Sequence, residues 1–153
     1  MRSLPLIAAC VLLAGAAQPA AAQITVSRVR DLNFGPVIRG LATHVGPSDP
    51  VKSGEFLFTT AIGSRVRLQF TLPNRLNGPA GATVPITFNA TDGIATGTAP
   101  TSIPVTFDPR VAQTFNIVTS TTILVFIGAT VTPTAAQTLG TYTNTITLTV
   151  TLL

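Results

Sequence analysis

The stretch Gly140-Thr141-Tyr142-Thr143-Asn144-Thr145-Ile146-Thr147-Leu148-Thr149-Val150-Thr151-Leu152-Leu153 decides the fold class of this chain. Every odd position from Thr141 to Thr151 is threonine, and the even positions are Tyr142, Asn144, Ile146, Leu148, Val150 and Leu152. A period of two, with one apolar row and one hydroxyl row, marks a half-buried β-strand. The row Ile146, Leu148, Val150, Leu152 is expected to face a core, with Tyr142 anchoring the entry of the strand. The threonine row then faces solvent or a partner subunit. Asn144 falls in the apolar row, where burying its amide unpaired would cost a few kcal/mol. It is therefore expected at the sheet end, within reach of water or a loop. The N-terminal strand, Ile24 to Phe34, is expected to pair with one edge of this last strand, from the same chain or from a neighbour.

Working outward, the rest of the chain has the same character. Twenty-six of the 153 residues are threonine, and 12 prolines and 12 glycines punctuate the sequence at short intervals. Branching at Cβ suits threonine, valine and isoleucine to the pleated surface. No window carries helical periodicity with a cap at each end. Residues 24–37 read as a strand with a break near Gly35-Pro36. Residues 55–61 and 65–72 read as two more, split by a turn at Gly63-Ser64. The second of these alternates strictly, with Arg65, Arg67, Gln69 and Thr71 on one side and Val66, Leu68, Phe70 and Leu72 on the other. A loop at 73–81 follows, then strands at 84–90, 103–107, 115–118, 122–131 and the terminal one. Asp92-Gly93 and Asp108-Pro109 mark turns. Seven to nine short strands with turn signals between them indicate an all-β, immunoglobulin-like antiparallel sandwich.

The first 22 residues read as a secretory signal peptide, with Arg2, an apolar run from Leu4 to Ala17, Pro19, and an Ala20-Ala21-Ala22 cleavage site. Residues 23–153 are then one sandwich domain, exported to the periplasm, cell surface or extracellular space. Ile7-Ala8-Ala9-Cys10 has the form of a lipoprotein signal, but the apolar core continues after Cys10 instead of ending there. Cys10 is the one cysteine of the chain. The mature domain can form no disulfide, and burial alone must stabilise it. The apolar run 122–127 falls far short of the roughly 20 residues a membrane helix needs. An outer-membrane barrel would carry aromatic girdles, and the sequence has no tryptophan and a single tyrosine.

Few residues offer chemistry. Eight Lys or Arg face five acids in the mature part, without a basic run or aromatic stacking surface, which argues against nucleic-acid binding. His44 is the only histidine, so a multi-imidazole metal centre is excluded; it reads as a surface residue at a loop or strand edge. Asp31, Asp49, Glu55, Asp92 and Asp108 each stand alone, with no second acid beside them, and turn use accounts for Asp92 and Asp108. Gly78-Pro79-Ala80-Gly81 lacks the lysine of a phosphate loop. The expectation is a protein that is not an enzyme, with no catalytic, cofactor or metal residues.

Two stretches carry a family resemblance: Arg30-Asp31-Leu32-Asn33-Phe34-Gly35-Pro36-Val37 near the mature start, and residues 140–150 near the end. Phe70-Thr71-Leu72-Pro73 and Val84-Pro85-Ile86-Thr87-Phe88 lie between them. In order and spacing the chain resembles the bacterial secreted domain-of-unknown-function 4402 family, and is similar to spore coat protein U and Csu-type pilin domains. The resemblance spans nearly the whole mature chain. It implies a pilin-like sandwich, fimbrial or coat-like, assembled with a periplasmic chaperone, an outer-membrane usher and like subunits by strand addition at a sheet edge. The expected partner-strand contacts are Ile24 and Val26 at the start, and Tyr142, Ile146, Leu148, Val150 and Leu152 at the end. The N-terminal segment departs from a donor strand, because Ile24 and Val26 share a face with Arg28 and Arg30. A monomeric periplasmic or secreted binding module with a self-complete sandwich is the alternative.

Overall fold

Strict alternation becomes strand wherever the apolar row finds a core, and the clearest case is Arg65–Thr71, whose side chains are exposed and buried in turn. The computed structural model describes residues 24–97, 104–118 and 120–153. Among these residues the strands run in the order β1 (Thr25–Arg30), β2 (Thr43–Val45), β3 (Gly54–Thr59), β4 (Arg65–Thr71), β5 (Arg75–Asn77) and β6 (Thr83–Thr87). The second half supplies β7 (Gly93–Thr96), β8 (Val105–Phe107), β9 (Gln113–Asn116), β10 (Thr122–Ile127), β11 (Ala129–Val131) and β12 (Thr147–Leu152). Residues 1–22, expected as a signal peptide, with Cys10 and the expected cleavage site, lie outside the described residues.

Among the described residues the fold is all-β, in three antiparallel sheets. A five-stranded sheet has the order β1-β3-β10-β7-β8, a four-stranded sheet β2-β11-β6-β5, and a three-stranded sheet β12-β4-β9. One core serves all three. Phe58, Ile123, Val125 and Ile127 reach it from the five-stranded sheet, Val66, Leu68 and Phe115 from the three-stranded one, and Ile86 and Val131 from the four-stranded one. Four aromatic rings zigzag between two of the sheets. Phe56 on β3 meets Phe70 on β4 edge-on at 5.7 Å, Phe70 stacks on Phe107 of β8 at 6.3 Å, and Phe107 meets Phe115 of β9 edge-on at 5.8 Å. Face-to-face burial of this kind is how sandwich layers hold together.

Residues 122–131, expected as one strand, form two. The run leaves the five-stranded sheet at Gly128 and enters the four-stranded one. Gly128 is buried against the Val45 carbonyl and the Gly46-Pro47 backbone, where an added Cβ would collide. A close backbone approach at a sheet-switching bend needs glycine.

The termini depart most from expectation. Residues 24–37 contribute strand only over Thr25–Arg30. This β1 pairs antiparallel with β3, from Thr25 opposite Thr59 to Arg30 opposite Glu55. It does not pair with the C-terminal strand of its own chain. Alternation fixes which face of a strand is buried, not which edge it joins. The last strand begins at Thr147, six residues later than the alternation suggests. Before that, Thr143 exchanges both backbone hydrogen bonds with Asn77 at the end of β5, each 2.9 Å. One alternating stretch is thus divided between two sheets. Asn144 is exposed and donates its amide to the Arg75 carbonyl at 2.7 Å, as its place in the apolar row required. The expected loop at 73–81 contains β5 and a short 3₁₀ turn at Pro79–Gly81.

Candidate functional site

The C-terminal strand β12 pairs with β4 along its whole length, from Thr147 opposite Thr71 to Leu152 opposite Val66. It is the last strand of its sheet, and among the described residues no strand pairs with its other edge, although β1 passes close to β12 without pairing with it. Beside the start of β12 lies a cleft of about 780 Å³. One wall comes from Arg28 to Val37 and the other from Thr138 to Ile146. The floor is core: Phe56, Ile86, Ile127 and Val131, all buried from other directions, line it. Leu32, Phe34, Tyr142 and Ile146 are partly buried and pack on that core from the rim.

Each wall is held by local chemistry. Arg30 fastens the N-terminal wall. Its Nε donates to the Ser53 carbonyl at 2.8 Å, one terminal nitrogen donates to the Ser53 hydroxyl at 3.0 Å, and that nitrogen lies 3.1 Å from the Glu55 carboxylate. Asn33 donates its backbone N–H to the Lys52 carbonyl at 2.8 Å. Asp49 shapes the loop that receives these bonds. It accepts the Val51 and Lys52 backbone N–H groups, and these bonds hold its carboxyl below the usual carboxylate range. On the other wall the Tyr142 hydroxyl donates to the Thr138 carbonyl and accepts from buried Gln137, both at 2.7 Å. Gln137 also donates to the Thr83 carbonyl. The Tyr142 ring lies against Gly78 so closely that a Cβ there would overlap it. Tyr142 thereby anchors the segment leading into β12.

The expected partner-strand residues fall in three places. Tyr142 and Ile146 line the cleft. On β12, Leu148 is buried and Val150 is packed partly against the core, while Leu152 is 41% exposed. Ile24 is partly buried, and Val26 lies on β1 with 38% exposure. Leu32, Phe34 and the floor were not singled out from the sequence. The Leu32-Asn33-Phe34-Gly35 element carried the signal for the first two, and the floor residues look like ordinary core in any sequence.

His44 stands on β2 at the edge of its sheet, half exposed, with Nδ1 3.0 Å from the Thr130 hydroxyl. Its Nε2 lies 3.9 Å from the Asp92 carboxylate, which accepts the Asn89 backbone N–H at 2.7 Å within its turn. Asp108 accepts both the backbone and the guanidinium of Arg110, and the guanidinium hydrogen bonds hold its carboxyl low. Among the described residues no three His, Cys, Asp or Glu side chains come together as a metal cluster would require. No helix there is long and apolar enough to cross a membrane. No family model, curated protein or solved structure matches the chain.

Proposed function

We propose that this chain is an exported, non-enzymatic structural subunit of the bacterial cell surface or periplasm, an immunoglobulin-like, pilin-like sandwich that accepts a β-strand from a partner. Two observations carry this reading together: a cleft floored by core residues that ends at Ile146, just before β12 begins, and an outer edge of β12 with which no described strand pairs. An incoming strand would form backbone hydrogen bonds along that edge, while every second side chain filled the space between Leu32 and Phe34 on one side and Tyr142 and Ile146 on the other. A fully buried aliphatic side chain contributes roughly 1.5–3 kcal/mol, so a few anchors suffice for stable docking. The resemblance to coat protein U and Csu-type pilin domains makes a periplasmic chaperone the first donor and a like subunit, delivered through an outer-membrane usher, the second.

A specific observation favours the alternative of a self-complete monomeric binding module. β1 already pairs with β3 in its own chain, so the five-stranded sheet is closed on that side without help. Cross-linking separates the two. The mature chain is free of cysteine, so Val26→Cys in one copy and Ile146→Cys in another can be mixed under mild oxidation. Strand exchange between like subunits gives covalent heterodimers on a non-reducing gel. A self-complete monomer gives none.

A further inference from the structure

We propose that the outer face of the three-stranded sheet binds a carboxylate-bearing polysaccharide. This inference stands apart from strand addition, since the face is present whether or not a strand joins β12.

The side chains that β4, β9 and β12 turn outward are polar and exposed. The registers set them in rows. Arg67 stands between Thr151 of β12 and Thr114 of β9, Arg65 lies opposite Asn116, and Gln69 lies opposite Thr149. Neighbours across the ladder are about 4.8 Å apart and those along a strand about 7 Å apart, so hydroxyls, amides and two guanidinium groups form one continuous array. No acid lies on these three strands.

The charge balance makes the array a receptor for anions. Three of the five acids of the chain are spent on other arginines: Asp31 on Arg28 at 2.7 Å, Glu55 on Arg30 at 3.1 Å, and Asp108 on Arg110 at 2.7 Å. Among the described residues Arg65 and Arg67 form no ion pair. Two like charges held two positions apart on one strand repel each other until an anion lies across them. A guanidinium takes a carboxylate through two parallel hydrogen bonds, and the flanking threonine, asparagine and glutamine groups can both donate to and accept from sugar hydroxyls.

Other partners fit less well. A protein interface needs an apolar centre, which this outward face lacks. Single-stranded nucleic acid needs aromatic platforms, and none projects here.

Affinity electrophoresis of the mature protein in gels containing alginate, a linear polyuronate, tests the proposal, with neutral dextran, dextran sulfate and single-stranded DNA as comparison polymers. The expected result is retardation by alginate but not by dextran, weakened by about tenfold or more in Arg65→Gln/Arg67→Gln. Arg75→Gln, on the exposed side of β5 in another sheet, should bind as the wild type does. Both altered proteins should melt with the wild type, which excludes unfolding as the cause of a loss. The proposal is overturned if alginate does not retard the wild type, if the double variant binds equally well, or if Arg75→Gln loses as much. Equal or tighter retention by dextran sulfate or DNA would also overturn it, because general polyanion attraction would then suffice.

Discussion

Phe70 joins two layers. Its ring touches Phe56 and Phe107, both on the five-stranded sheet, while its backbone belongs to the three-stranded one. Truncation there removes aromatic pairings and leaves a cavity that neither sheet can close, so Phe70→Ala should destabilise by about 3–5 kcal/mol. Arg67 is three residues away and points to solvent, and Arg67→Ala should change stability by no more than about 0.5 kcal/mol. Urea titrations of the two variants check the contrast, and similar small effects would mean that the faces of β4 are reversed. Acid stability is likewise decided by single residues. The carboxyls of Asp49 and Asp108 are held low by the backbone N–H groups of Val51 and Lys52 and by the Arg110 guanidinium respectively. A depressed folded-state pKa adds stability that is present above the unfolded value and is lost as pH falls through the folded one. The loss should therefore begin near pH ~4 and continue below it. Asp49→Asn/Asp108→Asn should flatten the acid limb of melting temperature against pH, by a modest amount because both carboxyls lie at the partly exposed surface, where solvent screens their interactions. A double variant with an unchanged acid limb would count against these hydrogen bonds in solution.

Among the elements, β12 has the most to lose by removal. It carries Leu148 into the core, packs Val150 against it, with Ile146 packing there just before the strand begins, and gives β4 one of its two ladders. Fully buried aliphatic side chains contribute roughly 1.5–3 kcal/mol each. Together with the ladder, this is a large share of the 5–15 kcal/mol that stabilises a typical domain. A chain ending at Thr145 should show no cooperative melt by circular dichroism; a normal melt would make β12 a dispensable tail. The strands legible in the sequence were those with enough residues to display a period, β4 above all, with exposed arginines and buried Val66, Leu68 and Phe70 in turn. Three of the short strands were not legible. Thr43–Val45, Arg75–Asn77 and Gly93–Thr96 have three or four residues each, too few for alternation to show against glycine, arginine and asparagine. Those three, with the break at Gly128, raise the strand number among the described residues above the seven to nine expected. The candidate site was half legible for a related reason. Tyr142 and Ile146 stood out in the alternating stretch, whereas Phe56 and Ile127 become a floor only through the placement of the walls above them.

At the scale of the whole molecule, the question is how much β1 contributes to the fold that its own chain needs. Its pairing with β3 runs from Thr25 to Arg30, yet its side chains are almost all exposed, with Val26 at 38% and Val29 at 52%. Backbone hydrogen bonds at a solvated edge contribute little net, because water replaces them when they break. Arg30 differs, being tied to Ser53 and Glu55. β3 also keeps β10 on its other side, in register from Thr59 opposite Thr122 to Gly54 opposite Ile127. Deleting residues 23–29 while keeping Arg30 should therefore leave a cooperatively folded protein. A loss of about 1–2 kcal/mol would lower its melting temperature by roughly 2–8 °C per kcal/mol. If β1 is also the strand that a like subunit donates, the same deletion should abolish self-association in sedimentation velocity while leaving the cleft able to accept a donor from intact protein. Mixing deleted and full-length chains should then yield complexes capped by the deleted copy. A deleted chain that melts without cooperativity would instead make β1 an integral strand of a self-complete sandwich. The cleft would then remain a surface feature of a monomer, and the strand-exchange reading would fall.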